Sequence, residues 1–353
     1  MRFQFNWKCN FLLFILFFTL GSLHAQECEE AFNKANTFYN EGKLLQVPTI
    51  LQNCIDSKFE SSSKQLSARR LVILSYLYSD RIDEAEMAMM DLLRENAEYK
   101  PTSSDPAELR NLWKKFRTRP IMSLGIFGGA TYNQANVKQT FGVGPEVNHQ
   151  DVEYKSALNF KVGVSFNYFL SHHLQINASP NYESVAFETV ERPLNYSTST
   201  LKETQNYFDI PLTLRFVILP NKKMKPFIGF GGSAKLLLNS SIEGIMDYDN
   251  DEIADIEATP IDITSQRKAL MYGGLLQAGF YLKTRYSHWT VMASYYYALQ
   301  NFNLPNQRYS NNELIFSYGY VDNDVRMDVL TLTVGIAIDF YKPKIYRKYR
   351  SLD

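Results

Sequence analysis

Residues 330–340 read Leu-Thr-Leu-Thr-Val-Gly-Ile-Ala-Ile-Asp-Phe, and this stretch decides the fold. Large apolar side chains occupy every second position, and small or polar side chains occupy the positions between them. Because successive side chains of a strand point to opposite faces, the stretch predicts a strand with one apolar face. Strands of about ten residues with this alternation are typical of barrels that face lipid, whereas strands of soluble sheets most often have about 5–6 residues.

The same alternation recurs through the second two-thirds of the chain, for example over residues 158–170 and 208–218. It predicts eight antiparallel strands, at about residues 121–133, 156–170, 173–189, 202–219, 225–239, 271–286, 288–301 and 326–341. The connections between these strands are alternately long and short, which is typical of outer-membrane barrels with external loops and periplasmic turns. The sequence therefore predicts an eight-stranded antiparallel transmembrane β-barrel over residues 120–341, with both of its ends in the periplasm.

The chain opens with an apolar run at residues 11–20, which is shorter than the roughly 20 residues that a spanning helix needs. Small residues follow it up to Ala25, so residues 1–25 are interpreted as a signal peptide that is removed on export. The alternatives are a retained membrane anchor and a lipid anchor on Cys28.

Between the signal peptide and the barrel, residues 26–119 are rich in Glu, Lys, Leu and Ala and show helical spacing. Five helices are predicted, at about residues 28–41, 44–55, 63–79, 82–97 and 105–117. Their lengths resemble a tetratricopeptide-type stack, and the alternative is an irregular helical bundle. We expect a periplasmic helical domain here, and a basic periplasmic tail over residues 342–353.

Charge and cysteine content narrow the possible classes of protein. The chain has 37 Lys and Arg against 37 Asp and Glu, dispersed along the sequence, which argues against a nucleic-acid partner. Removal of the signal peptide leaves two cysteines, Cys28 and Cys54. An even number of cysteines in an exported chain favours a disulfide, and the alternative is two buried free thiols. No Cys/His spacing typical of zinc is present.

One stretch resembles a known family. Residues 206–216 read Asn-Tyr-Phe-Asp-Ile-Pro-Leu-Thr-Leu-Arg-Phe, and residues 225–232 read Lys-Pro-Phe-Ile-Gly-Phe-Gly-Gly. An aromatic residue, an acidic residue and Ile-Pro-Leu, followed by a glycine-rich strand, resemble the PorT-like outer-membrane barrels of Bacteroidota. The resemblance covers about residues 120–341 and implies an outer-membrane barrel. The helical segment ahead of the barrel is a departure from that family's pattern.

The polar face of the strands carries charges of both signs, at Lys161, Glu183, Asp209, Arg215, Lys235, Lys283, Arg285 and Asp339. Side chains fill the interior of an eight-stranded barrel, and buried charges persist when they are paired. We therefore expect a network of paired charges in the lumen, the alternative being a narrow ion path.

No constellation of residues predicts catalysis. Glu183 and Asp209 form a carboxylate pair without a nucleophile or a metal-ligand set, and His172, His173 and His288 fall in predicted turns. The sequence therefore predicts no enzyme, no catalytic residues and no cofactor.

The third external loop is acidic, and its residues Asp247, Asp249 and Asp251 resemble the opening of a calcium-binding loop. Glu252 stands where such a loop needs glycine, and Ala258 stands where it needs a bidentate glutamate. A solvated acidic loop is the favoured interpretation, and calcium is the alternative.

These expectations combine into one hypothesis about function. The barrel anchors a periplasmic helical domain in the outer membrane, and that domain binds periplasmic or outer-membrane proteins as an accessory subunit of an envelope assembly. Helical stacks offer concave surfaces suited to such binding. Outer-membrane lipid surrounds the barrel, and no nucleic acid is expected as a partner. The alternative function is a narrow passive channel.

Overall fold

The computed structural model describes residues 27–56, 61–142, 152–157, 159–192, 197–250, 252–257 and 260–346. The described residues form two units: residues 27–119 with 341–346 belong to a helical unit, and residues 120–340 belong to a barrel. The predicted signal peptide and the end of the basic tail lie outside the described residues.

The described part of the helical unit contains five helices, as the sequence predicts. They are α1 (residues 27–40), α2 (Gln46–Asp56), α3 (Ser62–Tyr78), α4 (Ile82–Glu95) and α5 (Ala107–Lys114). The Ser61 side chain caps α3 by accepting a hydrogen bond from the Ser63 amide. None of the helices in the described ranges is long and apolar enough to cross a membrane.

Helical periodicity explains how the helices pack. On α4, Ala85, Met89, Leu92 and Leu93 recur on one face and are buried, as an amphipathic helix requires. They share a core with α3 and α5, to which Ile73, Leu109 and Leu112 contribute. A second core lies around α1, α2 and the first half of α3, so the unit has its own hydrophobic interior.

The predicted disulfide is confirmed, because Cys28 on α1 and Cys54 on α2 are bonded, with their Cα atoms 5.4 Å apart. We expect the mass of the mature protein to rise by two hydrogen atoms when the protein is reduced after denaturation. Mass spectrometry of the intact protein before and after reduction measures this change. Modification of either thiol by iodoacetamide in the unreduced, denatured protein would contradict the assignment.

The barrel consists of eight antiparallel strands. They are β1 (Pro120–Gln139), β2 (Asn159–Phe169), β3 (Leu174–Ala178 and Asn181–Glu191), β4 (Ser197–Val217), β5 (Met224–Tyr248), β6 (Leu270–Lys283), β7 (Ser287–Ala298) and β8 (Asp324–Tyr341). Each strand pairs with the next, and β8 pairs with β1, so the sheet closes on itself. Closure satisfies the backbone hydrogen bonds that an open sheet edge would leave unpaired in lipid.

The two faces of the wall alternate as predicted. On β8, Leu332 and Val334 are 60% and 48% exposed and face outward, whereas Thr331 and Thr333 are each 3% exposed and face the lumen. Exposed apolar side chains continue around the outer wall, including Ile126 on β1, and form the belt that meets lipid.

Several strands are longer than the sequence predicts, and β4 and β5 are the longest. β4 has 21 residues and β5 has 25, although a spanning strand needs only about 9–11. A β-bulge at Leu238 shifts the register between β4 and β5, because Asn206 pairs with Asn239 and Tyr207 pairs with Leu237. The shift reverses the alternation beyond Leu238, which is why the predicted strand ended at residue 239. Residues 190–201, between the predicted third and fourth strands, were expected to form a loop, and this is largely wrong. Residues 190–191 continue β3 and residues 197–201 begin β4, because polar residues continue both strands there.

Candidate functional site: the barrel interior

The upper lumen holds a cluster of charges that four neighbouring strands bring together. Lys161 on β2 lies opposite Glu183 on β3, and Asp209 on β4 lies opposite Lys235 on β5. The Lys161 ammonium lies 3.5 Å from Glu183 and 3.9 Å from Asp209, and Lys235 also pairs with Glu183. Ser233 donates a further hydrogen bond to Asp209. The two carboxylates that could have formed a catalytic pair are thus held by lysines.

A second group lies at the turn end of the lumen. Lys283 pairs with Asp339 at 2.5 Å, and His288 Nδ1 lies 2.9 Å from the other oxygen of the same carboxylate. The edge of the His288 ring also packs against Tyr281, with ring centroids 5.0 Å apart. The prediction that His288 lies in a turn is wrong. It occupies an inward position of β7, which begins at Ser287.

The prediction that Arg285 belongs to the lumen charge network is wrong. It lies in the turn between β6 and β7, two residues beyond Lys283, where the strand alternation no longer sets the direction of side chains. Its side chain is exposed, and its guanidinium lies over the ring of Tyr286.

Between these two groups lies Arg215, which is 3% exposed. Its Nε donates to Gln277, and its Nη1 donates to Tyr281 and Asn167. These partners come from β2 and β6, each two strands away from β4, which carries Arg215, so the guanidinium reaches into the lumen between them. A cavity of about 40 Å³ adjoins it, and both Arg215 and Lys161 line that cavity.

Above the charge cluster, an apolar layer fills the outer part of the lumen. Its buried residues come from the inward faces of β3 to β8 and from the loop before β8; they are Val185, Phe187, Tyr207, Leu237, Met271, Leu275, Tyr296, Ala298, Phe302, Val325, Met327 and Val329. The rings of Phe187 and Phe302 meet in it, with centroids 5.7 Å apart. This layer separates the charged part of the lumen from the loop end.

The last long loop folds over the mouth of the barrel. Its helix α6 (Asn312–Tyr318) begins with the Asn311 side chain as cap and ends at Gly319, whose φ is 63°. Leu314 and Tyr318 of α6 are buried with Ile242 and Met246 of β5. Because Ile242 and Met246 face inward beyond the β5 bulge, the loop packs inside the extended wall.

A buried arginine, Arg267, holds the last long loop in place over the barrel mouth, and the sequence did not predict this role. Arg267 donates to both oxygens of Glu203 at 2.6 and 2.7 Å and to both oxygens of Asp322 at 2.7 and 2.9 Å. Its side chain is fully buried. The alternation along β4 predicts that Glu203 points into the lumen. Arg267 and Asp322 lie in loops, where no periodicity predicts the direction of a side chain.

Glu191, at the end of β3, lies beyond the belt that meets lipid. It pairs with Ser199 of β4, and the outward face of β4 is already polar at Asn206. Burial and, less strongly, the Asp322 carboxylate raise the pKa of Glu191 to about 7. The loop end of β3 therefore carries a carboxyl group whose pKa is raised toward neutral pH.

We expect the pH dependence of stability to report this group. A pKa that is higher in the folded state contributes stability that is fully present below the unfolded value of 4.5 and is lost as pH rises through about 7. The free energy of unfolding should therefore fall between about pH 5 and pH 7, and Glu191→Gln should flatten this part of the profile. Urea unfolding of the full chain in lipid vesicles measures it. An unchanged slope in the variant would show that another group is responsible.

The acidic loop does not gather its described carboxylates around one point. Asp249 pairs with Arg192 at 3.2 Å, and Asp255 accepts a hydrogen bond from the Tyr248 amide. Asp247 is exposed, and Asp251 lies outside the described residues. Within the described ranges, no group of three His, Cys, Asp or Glu side chains is placed to hold a metal ion.

Comparison with known proteins gives the following matches. A family described as outer membrane protein beta-barrel domain matches residues 119–304. No curated protein matches the chain. Among solved structures, OprG of Pseudomonas aeruginosa is 12% identical, with a TM-score of 0.37, over 64% of this chain and 98% of OprG. The E. coli Outer Membrane Protein W is 14% identical, with a TM-score of 0.30, over 63% of this chain and 99% of that protein.

Proposed function

Because this chain belongs to the outer membrane protein beta-barrel domain family, we propose that its barrel is a non-enzymatic anchor in the outer membrane for a helical domain that binds other envelope proteins. The helical domain and the turns lie in the periplasm, and the loops face outward. The protein is an accessory subunit of an envelope assembly for secretion, transport or outer-membrane biogenesis. The helical domain is a tetratricopeptide-type module, and the barrel is of the PorT-like type.

The filled interior of the barrel is the observation that carries this proposal. Paired charges, an apolar layer and the Arg267 cluster occupy successive levels of the lumen, and α6 covers its mouth. A passive channel needs a continuous aqueous path, and these layers interrupt one. A barrel whose lumen is filled in this way is best suited to anchor the helical domain in the membrane.

The helical unit supports the proposal through its own core and its exposed apolar side chains. In the described part of the unit, Leu45, Tyr78, Ile82 and Met87 are large apolar residues that are between 40% and 62% exposed. Contacts with a partner protein would bury such side chains, since the centres of interfaces are enriched in aromatic residues and methionine. Met87 is the most exposed of them, which makes it the best position for a test.

Affinity purification of the full-length protein from its native envelope in mild detergent tests the proposal. We expect stoichiometric partner proteins with the wild type and their loss with Met87→Glu. Asp83→Ala, at an exposed position of the same helix, is the matched control and should retain the partners. Circular dichroism should show both variants folded, because both positions are exposed. A monomer free of partners in the wild type would contradict the proposal.

Planar bilayers give an independent test against the channel. We expect no discrete conductance steps from the purified wild-type protein, because its lumen is filled. Regular steps in the wild type that disappear when the protein is omitted would favour the narrow channel instead.

A further inference from the structure

Arg215 differs from Lys161, Lys235 and Lys283, which each pair with a carboxylate. Among the described residues, the oxygen acceptors of Arg215 are the neutral side chains of Gln277, Asn167 and Tyr281, and its Nη2 contacts the Met292 sulfur, 3.3 Å away. A thioether is a weak acceptor, so one edge of the guanidinium is poorly satisfied.

The charge of Arg215 has no carboxylate beside it among the described residues that its guanidinium contacts. Arginine does not lose its proton inside proteins, so this charge cannot be removed by a shift in protonation. The ring of Phe227, 5.0 Å from the guanidinium carbon, offsets the charge only in part.

A buried charge without a counter-charge is unfavourable, and the cavity beside Arg215 offers room for one. This cavity is lined by Met292, next to the poorly satisfied Nη2, by hydroxyl groups such as that of Ser165, by Lys161 and Lys235, and by the Asp209 carboxylate, which pairs with Lys161. Its volume of about 40 Å³ admits a few water-sized particles and excludes a nucleotide or a sugar. The small size of the cavity and the uncompensated charge of Arg215 beside it therefore favour a small, monovalent, inorganic anion.

We propose that the lumen cavity beside Arg215 binds one small monovalent anion, chloride in a chloride medium, which neutralises the charge of Arg215. The ion is a structural part of the barrel interior. It lies below the apolar layer and is therefore separated from the loop end of the barrel.

Urea unfolding of the mature protein in zwitterionic vesicles, in sodium chloride against sodium gluconate at equal ionic strength, tests this proposal. Gluconate is too large for the cavity, and equal ionic strength keeps general screening the same. We expect chloride to raise the ratio of folded to unfolded protein about 100-fold at a concentration of 100 Kd. Arg215→Gln should abolish this dependence, whereas Arg285→Gln, in the exposed turn, should keep it. Equal stability of the wild type in the two salts would overturn the proposal, as would chloride dependence retained by Arg215→Gln.

A second measurement covers the case in which Arg215→Gln does not fold. Crystals of the wild-type protein grown in bromide should show anomalous scattering next to Arg215 Nη2 and Met292. A cavity without an anomalous peak, at a bromide concentration that stabilises the protein in solution, would place the anion elsewhere and contradict the assignment.

Discussion

Arg267→Met should destabilise the loop end of the barrel by about 3–5 kcal/mol, because it leaves two buried carboxylates without their cation. Glu203 and Asp322 are each held by two hydrogen bonds from Arg267, in a site closed to solvent. The loss should appear as a lower free energy of unfolding in urea and as faster hydrogen exchange in α6 and the loop before β8. The lower lumen should keep its protection, since local stability differs across a structure.

Two further variants make this result specific. Arg192→Met breaks an exposed pair with Asp249 and should cost less than about 1 kcal/mol. Adding Glu203→Gln and Asp322→Asn to Arg267→Met removes the unpaired charges and should restore a large part of the lost stability. If the triple variant is as unstable as the single one, the arginine acts through its packing and not through its charge.

Val334→Arg should destabilise the barrel by about 2–4 kcal/mol, because it places a charge in the middle of the belt that meets lipid. Val334 faces outward on β8, opposite Val291 of β7, with Leu332 and Ile338 exposed on the same face. Refolding into lipid vesicles, followed by heat-modifiable gel mobility, measures the effect.

Ile245→Arg is the matched control for depth. Ile245 is 49% exposed, close to the 48% of Val334, and also faces outward. It lies beyond the β5 bulge, between the exposed Glu243 and Asp247, where an arginine meets water and acidic neighbours. We expect a change of about 0–1 kcal/mol there. Equal losses at both positions would show that the outer wall at Val334 does not face lipid.

Strand periodicity allowed much of this fold to be predicted. The alternation of large and small residues along β8 fixes which side chains face outward, and the structure follows it from Leu330 to Phe340. The prediction for β5 stopped at residue 239 because the bulge at Leu238 exchanges the inward and outward positions. A local pattern cannot anticipate a bulge, because the extra residue is visible only against the partner strand.

The interior was predictable only in part, for a related reason. Alternation indicates that Lys161 and Glu183 point inward, but their pairing depends on the register between β2 and β3. Arg267 joins Glu203 and Asp322, which lie 64 and 55 residues away in sequence. Loop residues that meet over such distances leave no signal in a single sequence. Arg285 shows the opposite error, since the alternation was extended past the end of its strand.

The pairing of β1 with β8 has a consequence for how fast the barrel forms. Gly125 and Gly129 of β1 lie so close to the backbone of β8 that a Cβ atom would fall 2.3 and 2.1 Å from its carbonyl oxygens. This contact joins residues roughly 200 positions apart, and contacts so distant in sequence slow folding. Until they meet, both edge strands carry unpaired backbone groups that lipid cannot satisfy. Closure of the ring should therefore limit the rate of insertion, and a chain that stops short of β8 has no stable intermediate in the membrane.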